Sequence, residues 1–463
     1  MNRTELVERP TSTVRYAAVP VLVIVALGAV AGVVAATSVL GSDALWLSAL
    51  GDAISAARRI PAGVPFAAAP SGDWVNTTAL GQVVFSALHL GGSVGVVAAH
   101  VVAVTWALWL LMVSGHRRGA QPIGLVSALL LILAGGVAPL FIARAQLLSL
   151  VPYAALLVLL RREHDRPSRL IWAVIPLIAV WGNLHGAVLV GVAVLGCYLA
   201  LSRLRIDPWT SLGVGIASLV ATCLNPGLAL APRYYLGVFG GAATSDESGM
   251  WSHLTLTNPL DLLLLVAAIC LAFMAFRRRQ PVWEYAAALG LGGATMLAAR
   301  NGIWLLLFVC VPAALAMTRT HDVPAAPAPT SRLPRAATSA ACAGVVVALL
   351  ALRAPTFQSV DANASRLVEA TRGHIVLVAE PLAESMAAAG ATVWLSNPLD
   401  AFDHADQTAY LAFMAGDATG GSRAFGQADV VVAVPGSPQA RAALARGFTV
   451  RQEVGSYVLL RRG

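Results

Sequence analysis

A few charged residues lie at the ends of long apolar runs, where a charged side chain costs free energy unless it has a polar or charged partner. Asp43 closes the first run, and a carboxylate there could act as a base on a substrate entering from the membrane. Gly41-Ser42-Asp43 would equally suit the N-terminal cap of a helix. Arg144 and Arg300 fall at turns between short apolar runs. Their partner could be a phosphate or pyrophosphate, Asp43 or another carboxylate, or a lipid headgroup.

Further polar side chains accompany these three. Asp73 precedes Trp74-Val75-Asn76, and a solvated polar face is the alternative to a binding role. Asn183 and His185 follow Trp181-Gly182 at the end of an apolar run. Polar groups in nearly uncharged surroundings need partners, so they either orient a ligand or cap helix ends and bond to each other.

Motifs of other chemistries are absent from the sequence. It contains no Walker loop, GxGxxG, HExxH, GxSxG or zinc-type spacing of cysteines and histidines. The five cysteines all lie in apolar runs, and we expect them to be small core residues without disulfides or structural zinc. A divalent cation stays open as a possible cofactor.

The composition is that of a membrane protein. The chain is 58% hydrophobic and only 12% charged, and its mean hydropathy is +0.74. A soluble domain carries about twice that charged fraction. The net charge of +8 does not indicate nucleic-acid binding, because the arginines cluster between apolar runs as in cytoplasmic loops.

Apolar runs predict an all-α polytopic bundle of about eleven transmembrane helices. Arginine clusters near residues 117, 161, 203, 278 and 319–335 then share the side of a cytoplasmic N-terminus, and Arg58-Arg59 and Arg233 are exceptions. Several runs are short and must tilt or be shielded within the bundle. The predicted spans are 16–40, 92–114, 123–142, 146–160, 170–182, 186–202, 209–224, 259–276, 282–299, 302–317 and 337–353.

This topology divides the chain into a transmembrane domain, 1–353, and an extracytoplasmic domain, 354–463. The second domain alternates apolar strands with helical stretches, which predicts a small α/β fold. Within the first, 318–336 is a cytoplasmic linker and 225–258 an outer loop. The outer segment 41–91 begins with apolar residues at helical spacing, which predicts an amphipathic helix lying in the membrane interface.

The polar residues, taken in order, resemble a known family. The series includes Asp43-x-x-Trp46 and Gly72-Asp73-Trp74-Val75-Asn76 in the outer segment. It continues with Arg144-x-Gln146, Trp181-Gly182-Asn183-Leu184-His185, Leu224-Asn225-Pro226 and Ala299-Arg300-Asn301, and in the C-terminal region with Asn397-Pro398. This set is similar to bacterial GT-C-type membrane glycosyltransferases, the group that includes lipopolysaccharide-core glycosyltransferases and protein mannosyltransferase-like enzymes.

The resemblance implies an enzyme with a polyprenyl-phosphate sugar as donor and a cell-envelope glycan, lipid or protein as acceptor. It implies that Asp43 is the catalytic base and that the chain is a multi-pass protein of the bacterial inner membrane, active on the extracytoplasmic face. The implied substrate-binding residues are Trp46, Asp73, Trp74, Asn76, Arg144, Gln146, Asn183, His185, Trp251, Arg300 and Asn301.

The chain departs from the family pattern at three positions. Leu47 stands where a histidine often follows the tryptophan, Met250 stands where a glutamate often precedes Trp251, and Ser42 replaces the second acid beside Asp43. We expect an inverting transfer in which Asp43 accepts the acceptor proton. A non-catalytic scaffold and a lipid or polysaccharide transporter are the alternatives.

Overall fold

The computed structural model describes residues 19–238, 253–317 and 332–462 of the 463-residue chain. Within these ranges the fold is mainly helical, with two small β-sheets. The helices are α1 Val21–Thr37, α2 Ser42–Ala57, α3 Ala79–His89, α4 Gly92–Arg117, α5 Pro122–Gly135, α6 Val137–Phe141, α7 Leu147–Asp165, α8 Val174–Leu184, α9 Val188–Leu201, α10 Pro208–Thr222, α11 Ala231–Val238, α12 Pro259–Phe276, α13 Val282–Leu297, α14 Gly302–Ala316, α15 Arg332–Ala370, α16 Leu382–Ala388, α17 His404–Ala415, α18 Ser422–Gln427 and α19 Pro438–Ala445. The strands are β1 Val39–Leu40, β2 Ile142–Ala143, β3 Val376–Val378, β4 Val430–Ala433, β5 Phe448–Val454 and β6 Tyr457–Arg462.

Each predicted span overlaps helix within the described residues, although many of these helices are short. By length and hydropathy, five helices of the described part could cross a membrane on their own. Two glycines explain one short segment, since α5 ends at Gly135 and α6 begins after Gly136. The count of eleven crossings stays a prediction. The five long apolar helices are Gly92–Arg117, Val188–Arg205, Pro259–Phe276, Ala299–Ala316 and Leu333–Ala370.

Helix α14 forms the centre of the bundle. Its residues from Gly302 to Ala314 are buried on every face, as expected for a helix that is hydrophobic all round. At one end of its neighbour α7, Arg161 forms a buried salt bridge with Glu284 of α13, with 3.1 Å between Nε and Oε1. Small residues allow close helix contacts elsewhere. A Cβ on Gly28 of α1 would lie 2.3 Å from Sγ of Cys342 on α15.

The outer segment folds as a tight pair of helices, α2 and α3. A Cβ on Gly51 would lie 2.1 Å from the carbonyl oxygen of Gln82, so the two backbones nearly touch. All residues from Ala44 to Gly51 are buried. In its first half, α2 is covered by α3 and by α16 of the C-terminal region, and the predicted position of this helix in the membrane interface stays a prediction. The second half of α2 and its first two residues, Ser42 and Asp43, are partly exposed.

The C-terminal region contains a four-stranded sheet of order β3-β4-β6-β5. Strand β3 is parallel to β4, and the β4–β6 and β6–β5 pairs are antiparallel. The boundary predicted after residue 353 falls inside α15, which continues through Pro355 to Ala370. Val393 adds isolated bridges to Val376 and to Ala67.

The outer segment and the C-terminal region share backbone hydrogen bonds and a hydrophobic core. The amides of Ala68 and Ala69 donate to the carbonyls of Val393 and Trp394, each at 2.9 Å. Val64 and Ala69 pack into the same cluster as Trp394. The two parts are thereby held together over the bundle, which fixes the surroundings of Asp43.

Candidate active site

A two-stranded parallel ladder brings the carboxylate and the first arginine together. Strand β1 pairs with β2, with Val39 opposite Ile142 and Leu40 opposite Ala143, and the amide of Gly41 donates to the carbonyl of Ala143 at 2.9 Å. Asp43 follows β1 and Arg144 follows β2, so the ladder places them at the same edge. Both side chains line one cavity.

Asp43 lies in the first turn of α2, where the helix dipole favours a negative charge. The N-terminal cap of this helix is Gly41. Because glycine has no side chain, no side-chain capping hydrogen bond forms there. The alternative interpretation of Asp43 as a cap is therefore wrong. Its partly exposed carboxylate is available to the cavity.

Arg144 and Arg300 line the same cavity as Asp43, in a buried and a partly buried position respectively. The Arg144 guanidinium is buried and donates to Oε1 of Gln146 from Nε and Nη2, at 3.2 and 2.8 Å. Burial lowers the pKa of Arg144, and attraction to Asp43 opposes that effect. Arg300 also experiences the charges of both Arg144 and Asp43. One carboxylate and two guanidinium groups thus line the same cavity.

His185 is held in a fixed orientation by a short hydrogen-bond chain. The Trp181 indole Nε1 donates to Oγ of Ser149 at 2.7 Å, and that hydroxyl lies 2.7 Å from Nδ1 of His185. Burial, aided by the positive charges of Arg144 and Arg300, lowers the pKa of His185 to about 3. The ring is therefore neutral at pH 7. With Ser149 donating to Nδ1, the ring proton resides on Nε2.

The cavity has a volume of about 550 Å³ and joins this polar end to an apolar groove. The groove runs between α9 and α13, where Val190, Ala193 and Cys197 face Ala287 and Gly290. A Cβ on Gly290 would meet no atom within 4 Å, so the groove is open there. The polar lining residues are Asp43, Arg144, Gln146, His185, Tyr234, Tyr235, Arg300 and Asn301.

Two tyrosines of α11 line the cavity although the sequence analysis did not single them out as site residues. The rings of Tyr234 and Tyr235 lie 5.6 Å apart. The Tyr234 hydroxyl donates to Oδ2 of Asp400 at 2.8 Å, and the indole of Trp74 donates to the same oxygen at 3.2 Å. Asp400 therefore connects the C-terminal region with one wall of the cavity.

Several predicted binding residues lie away from the cavity lining. Trp46 is buried in the core around α2, and Asp73 is exposed. Asn76 is buried and exchanges two amide hydrogen bonds of 2.8 Å with Gln82. Asn183 donates to the carbonyls of Ala179 and Leu224, which ties α8 to the end of α10.

Of the remaining predicted residues, some line the cavity and others lie away from it. Asn301 lines the cavity and donates to the carbonyl of Ala294 at 3.0 Å, and Gln146 lines it beside Arg144. Trp74 is connected to the site region through its hydrogen bond to Asp400. Trp251 lies outside the described residues.

The C-terminal region adds two carboxylates near Asp43 that the sequence analysis missed. Burial, opposed by the hydrogen bond from Asn397, raises the pKa of Glu380, and the charge of Asp43 raises it further. Glu384 is fully buried next to it. Among residues 19–238, 253–317 and 332–462, no three His, Cys, Asp or Glu side chains are arranged to hold a metal ion.

Comparison with known proteins identifies the fold. No family model and no curated protein sequence matches the chain. Among solved structures, ArnT from Cupriavidus metallidurans bound to undecaprenyl phosphate is 15% identical, with a TM-score of 0.52 over 95% of this chain and 97% of that one. Its apo form is 13% identical, with a TM-score of 0.53 and the same coverage.

The arabinofuranosyltransferase AftD from Mycobacteria is also similar, at 15% identity and a TM-score of 0.51. The match covers 97% of this chain but only 40% of AftD. The chain thus has a GT-C-like fold, which confirms the resemblance at the level of architecture. This fold and the long apolar helices together indicate that the chain is a multi-pass membrane protein.

Proposed function

We propose that this protein is a glycosyltransferase that moves a sugar from a polyprenyl-phosphate donor to a cell-envelope acceptor. The observation that carries the proposal is the convergence of Asp43, Arg144 and Arg300 at the polar end of an apolar groove. This arrangement suits a lipid with an anionic head and a long hydrocarbon tail. The neighbour ArnT, whose structure contains undecaprenyl phosphate, supports a polyprenyl ligand.

Each part of the donor has a matching part of the site. The two guanidinium groups bind the phosphate, and the neutral His185 and Asn301 orient the phosphate or sugar through hydrogen bonds. The isoprenoid tail occupies the groove between α9 and α13. The groove residues Val190 to Cys197 span about 10 Å at 1.5 Å per residue, enough for the first units of the tail.

Transfer follows as a single displacement. The acceptor hydroxyl oxygen attacks the anomeric carbon while Asp43 accepts its proton. The bond between the anomeric carbon and the phosphate oxygen breaks, and its electron pair stays on polyprenyl phosphate. Arg144 and Arg300 stabilise the charge that develops on that leaving group. A single displacement from the opposite face inverts the anomeric configuration.

The membrane arrangement is part of the proposal. Eleven crossings place the N-terminus in the cytoplasm, and residues 354–463 form an extracytoplasmic domain above the site. The acceptor then enters from the outer face of the bacterial inner membrane, between the bundle and the C-terminal region. Tyr234 and Asp400, which are hydrogen-bonded across this junction, lie on the acceptor's route.

Purified wild-type protein is tested with a panel of labelled polyprenyl-phosphate sugars and a crude envelope extract as acceptor. We expect transfer by the wild type and a loss of at least about 100-fold in Asp43→Asn, which removes a general base. Asp52→Asn is the matched control, because Asp52 is on the same helix, exposed, and bonded only to Ser86 among the described contacts. Normal turnover by Asp43→Asn contradicts the base role. Folded wild type without transfer or hydrolysis of any donor supports the scaffold or transporter alternatives.

A further inference from the structure

The charges of the C-terminal region are unevenly distributed along its sequence. Residues 438–463 contain five arginines and a single acid, Glu453, whereas residues 354–437 contain three arginines and nine acids. The basic stretch includes β5 and β6, the two strands at one edge of the four-stranded sheet. This edge of the sheet therefore carries a positive charge that the rest of the region lacks.

A second cavity, with a volume of about 390 Å³, lies on the same pair of strands. Three of the five residues that line it are arginines, and the other two are uncharged. Among the described residues, none of these arginines forms a salt bridge. The lining residues are Arg451, Gln452, Leu459, Arg461 and Arg462.

The sheet and its neighbours hold two of the arginines in place. Nη2 of Arg462 donates to the carbonyl of Phe425 at 2.8 Å, and its guanidinium lies 5.4 Å from the ring centroid of Phe448. Nη2 of Arg461 donates to the carbonyl of Ala370, the last residue of α15, at 3.4 Å. A guanidinium has five N–H donors, so one carbonyl bond leaves most of them for a ligand.

The third arginine, Arg451, is exposed and stands outside the strand pairing. The register of β5 against β6 shifts between Val450 and Gln452, so Arg451 has no partner residue in β6. Its side chain makes no hydrogen bond or ion pair with any other described residue. Charged side chains also protect an edge strand from unwanted pairing, which would account for Arg451 alone. That role does not extend to Arg461 and Arg462, because β6 is an inner strand.

The cavity lies above the bilayer when α15 crosses the membrane over the predicted span 337–353. From residue 353 the helix continues to Ala370, which Arg461 contacts, and this stretch rises about 26 Å at 1.5 Å per residue. Even at a helix tilt of about 40° the rise is about 20 Å. The headgroup layer on each side of the hydrocarbon core is only about 5–8 Å thick. The headgroups of the same membrane are therefore out of reach of the cavity, and its ligand comes from the space above them.

We propose that this cavity binds a phosphate- or carboxylate-bearing glycan strand of the cell envelope. The planar guanidinium fork binds both of these groups through paired, charge-assisted hydrogen bonds. A volume of about 390 Å³ falls within the range of small-ligand sites, so the cavity holds a short charged segment of the strand. The identification of the ligand as an envelope glycan rests on the proposed function, whereas the anion site itself does not.

The test measures binding rather than turnover, with full-length protein in nanodiscs. The probes are oligomers of galacturonate and of glycerol phosphate, with a neutral dextran oligomer of equal length as the reference. We expect both charged probes to bind and the neutral one not to bind. Arg451→Gln should weaken binding about tenfold or more, because it removes a hydrogen-bonding charge.

The matched control is Arg446→Gln, which removes the same charge from an exposed position of the same stretch outside the cavity lining. We expect this variant to bind the charged probes as the wild type does. Equal affinity of wild type and Arg451→Gln overturns the proposal. Equal losses in the two variants also overturn it, because they would reflect net charge rather than a site.

Two further measurements separate the glycan from other anionic ligands. Nanodiscs of neutral lipid and nanodiscs with anionic lipid should give Kd values within twofold, because the Debye length is only about 8 Å at physiological ionic strength. A Kd that rises severalfold in the anionic nanodiscs would place lipid headgroups in the cavity and overturn the proposal. A poly-glutamate peptide of equal charge that binds as tightly as the glycans would overturn it in favour of an acidic protein. Glycan binding by a protein that transfers no sugar supports the anion site and counts against the proposed function instead.

Discussion

Gly41 controls the distance between the two strands that carry Asp43 and Arg144. Its φ of −82° is open to any residue, so only space restricts the position. A Cβ would lie 2.9 Å from Cγ2 of Ile142, 3.1 Å from Cβ of Arg144 and 3.2 Å from the carbonyl oxygen of Ala143. Gly41→Ala must therefore push β1 away from β2.

The size of the effect follows from these distances. An ordinary carbon contact is about 3.5–4.0 Å, so the two strands must separate by roughly 0.5–1 Å. Overpacking of this kind costs about 1–3 kcal/mol of stability. A misplacement of about 1 Å can cost on the order of 100-fold in rate. We expect kcat to fall about 10- to 100-fold while most of the protein stays folded.

The assay is sugar transfer from the donor identified with the wild type, together with thermal unfolding in detergent. Gly72→Ala is the matched control, since Gly72 belongs to the same outer segment and an added Cβ meets nothing within 4 Å. We expect wild-type rates and stability for that variant. Wild-type kcat in folded Gly41→Ala would refute the reasoning that the ladder sets the geometry of the site.

Two further predictions address the groove and the buried carboxyl. Gly290→Leu fills the open side of the groove and should raise KM for long-chain donors more than for short-chain analogues, whereas Gly293→Leu, an exposed position outside the lining, should not. Steady-state kinetics with both chain lengths checks this, and equal KM changes would count against the tail groove. Glu384 has a pKa raised to about 7, so the folded state binds more protons than the unfolded state between about pH 4.5 and 7. Stability therefore falls as pH rises through that window, by up to about 3 kcal/mol at 1.36 kcal/mol per unit, and Glu384→Gln should flatten the slope measured by unfolding at each pH.

The helical class and the main site residues were accessible from the sequence. Apolar runs and arginine clusters gave the correct helical segments because lipid demands internally satisfied backbone. Asp43, Arg144, His185 and Arg300 were identified because charge and polarity are rare at such positions, and all four line the cavity. Their roles in binding and catalysis stay predictions.

What the sequence did not reveal depends on contacts between distant segments. Strands β1 and β2 have two residues each, too few for a periodic signal. Strand β5 is polar and mostly exposed, so it lacks the alternation that marks a strand. The burial of α2 could not be predicted, because its periodicity shows one apolar face while its environment covers both. Packing of α16 on α2 brings the distant segment of Glu380 and Glu384 to the outer segment.

The length of α15 has a mechanical consequence. Its 39 residues form a rod of about 58 Å at 1.5 Å per residue, roughly twice the thickness of the hydrocarbon layer. It leans on α1 along part of its length and leads into the region that holds Glu380. A change of tilt by about 5° moves its far end by about 5 Å. Because helix tilt follows bilayer thickness, we expect a thicker or thinner bilayer to displace the C-terminal region relative to the bundle.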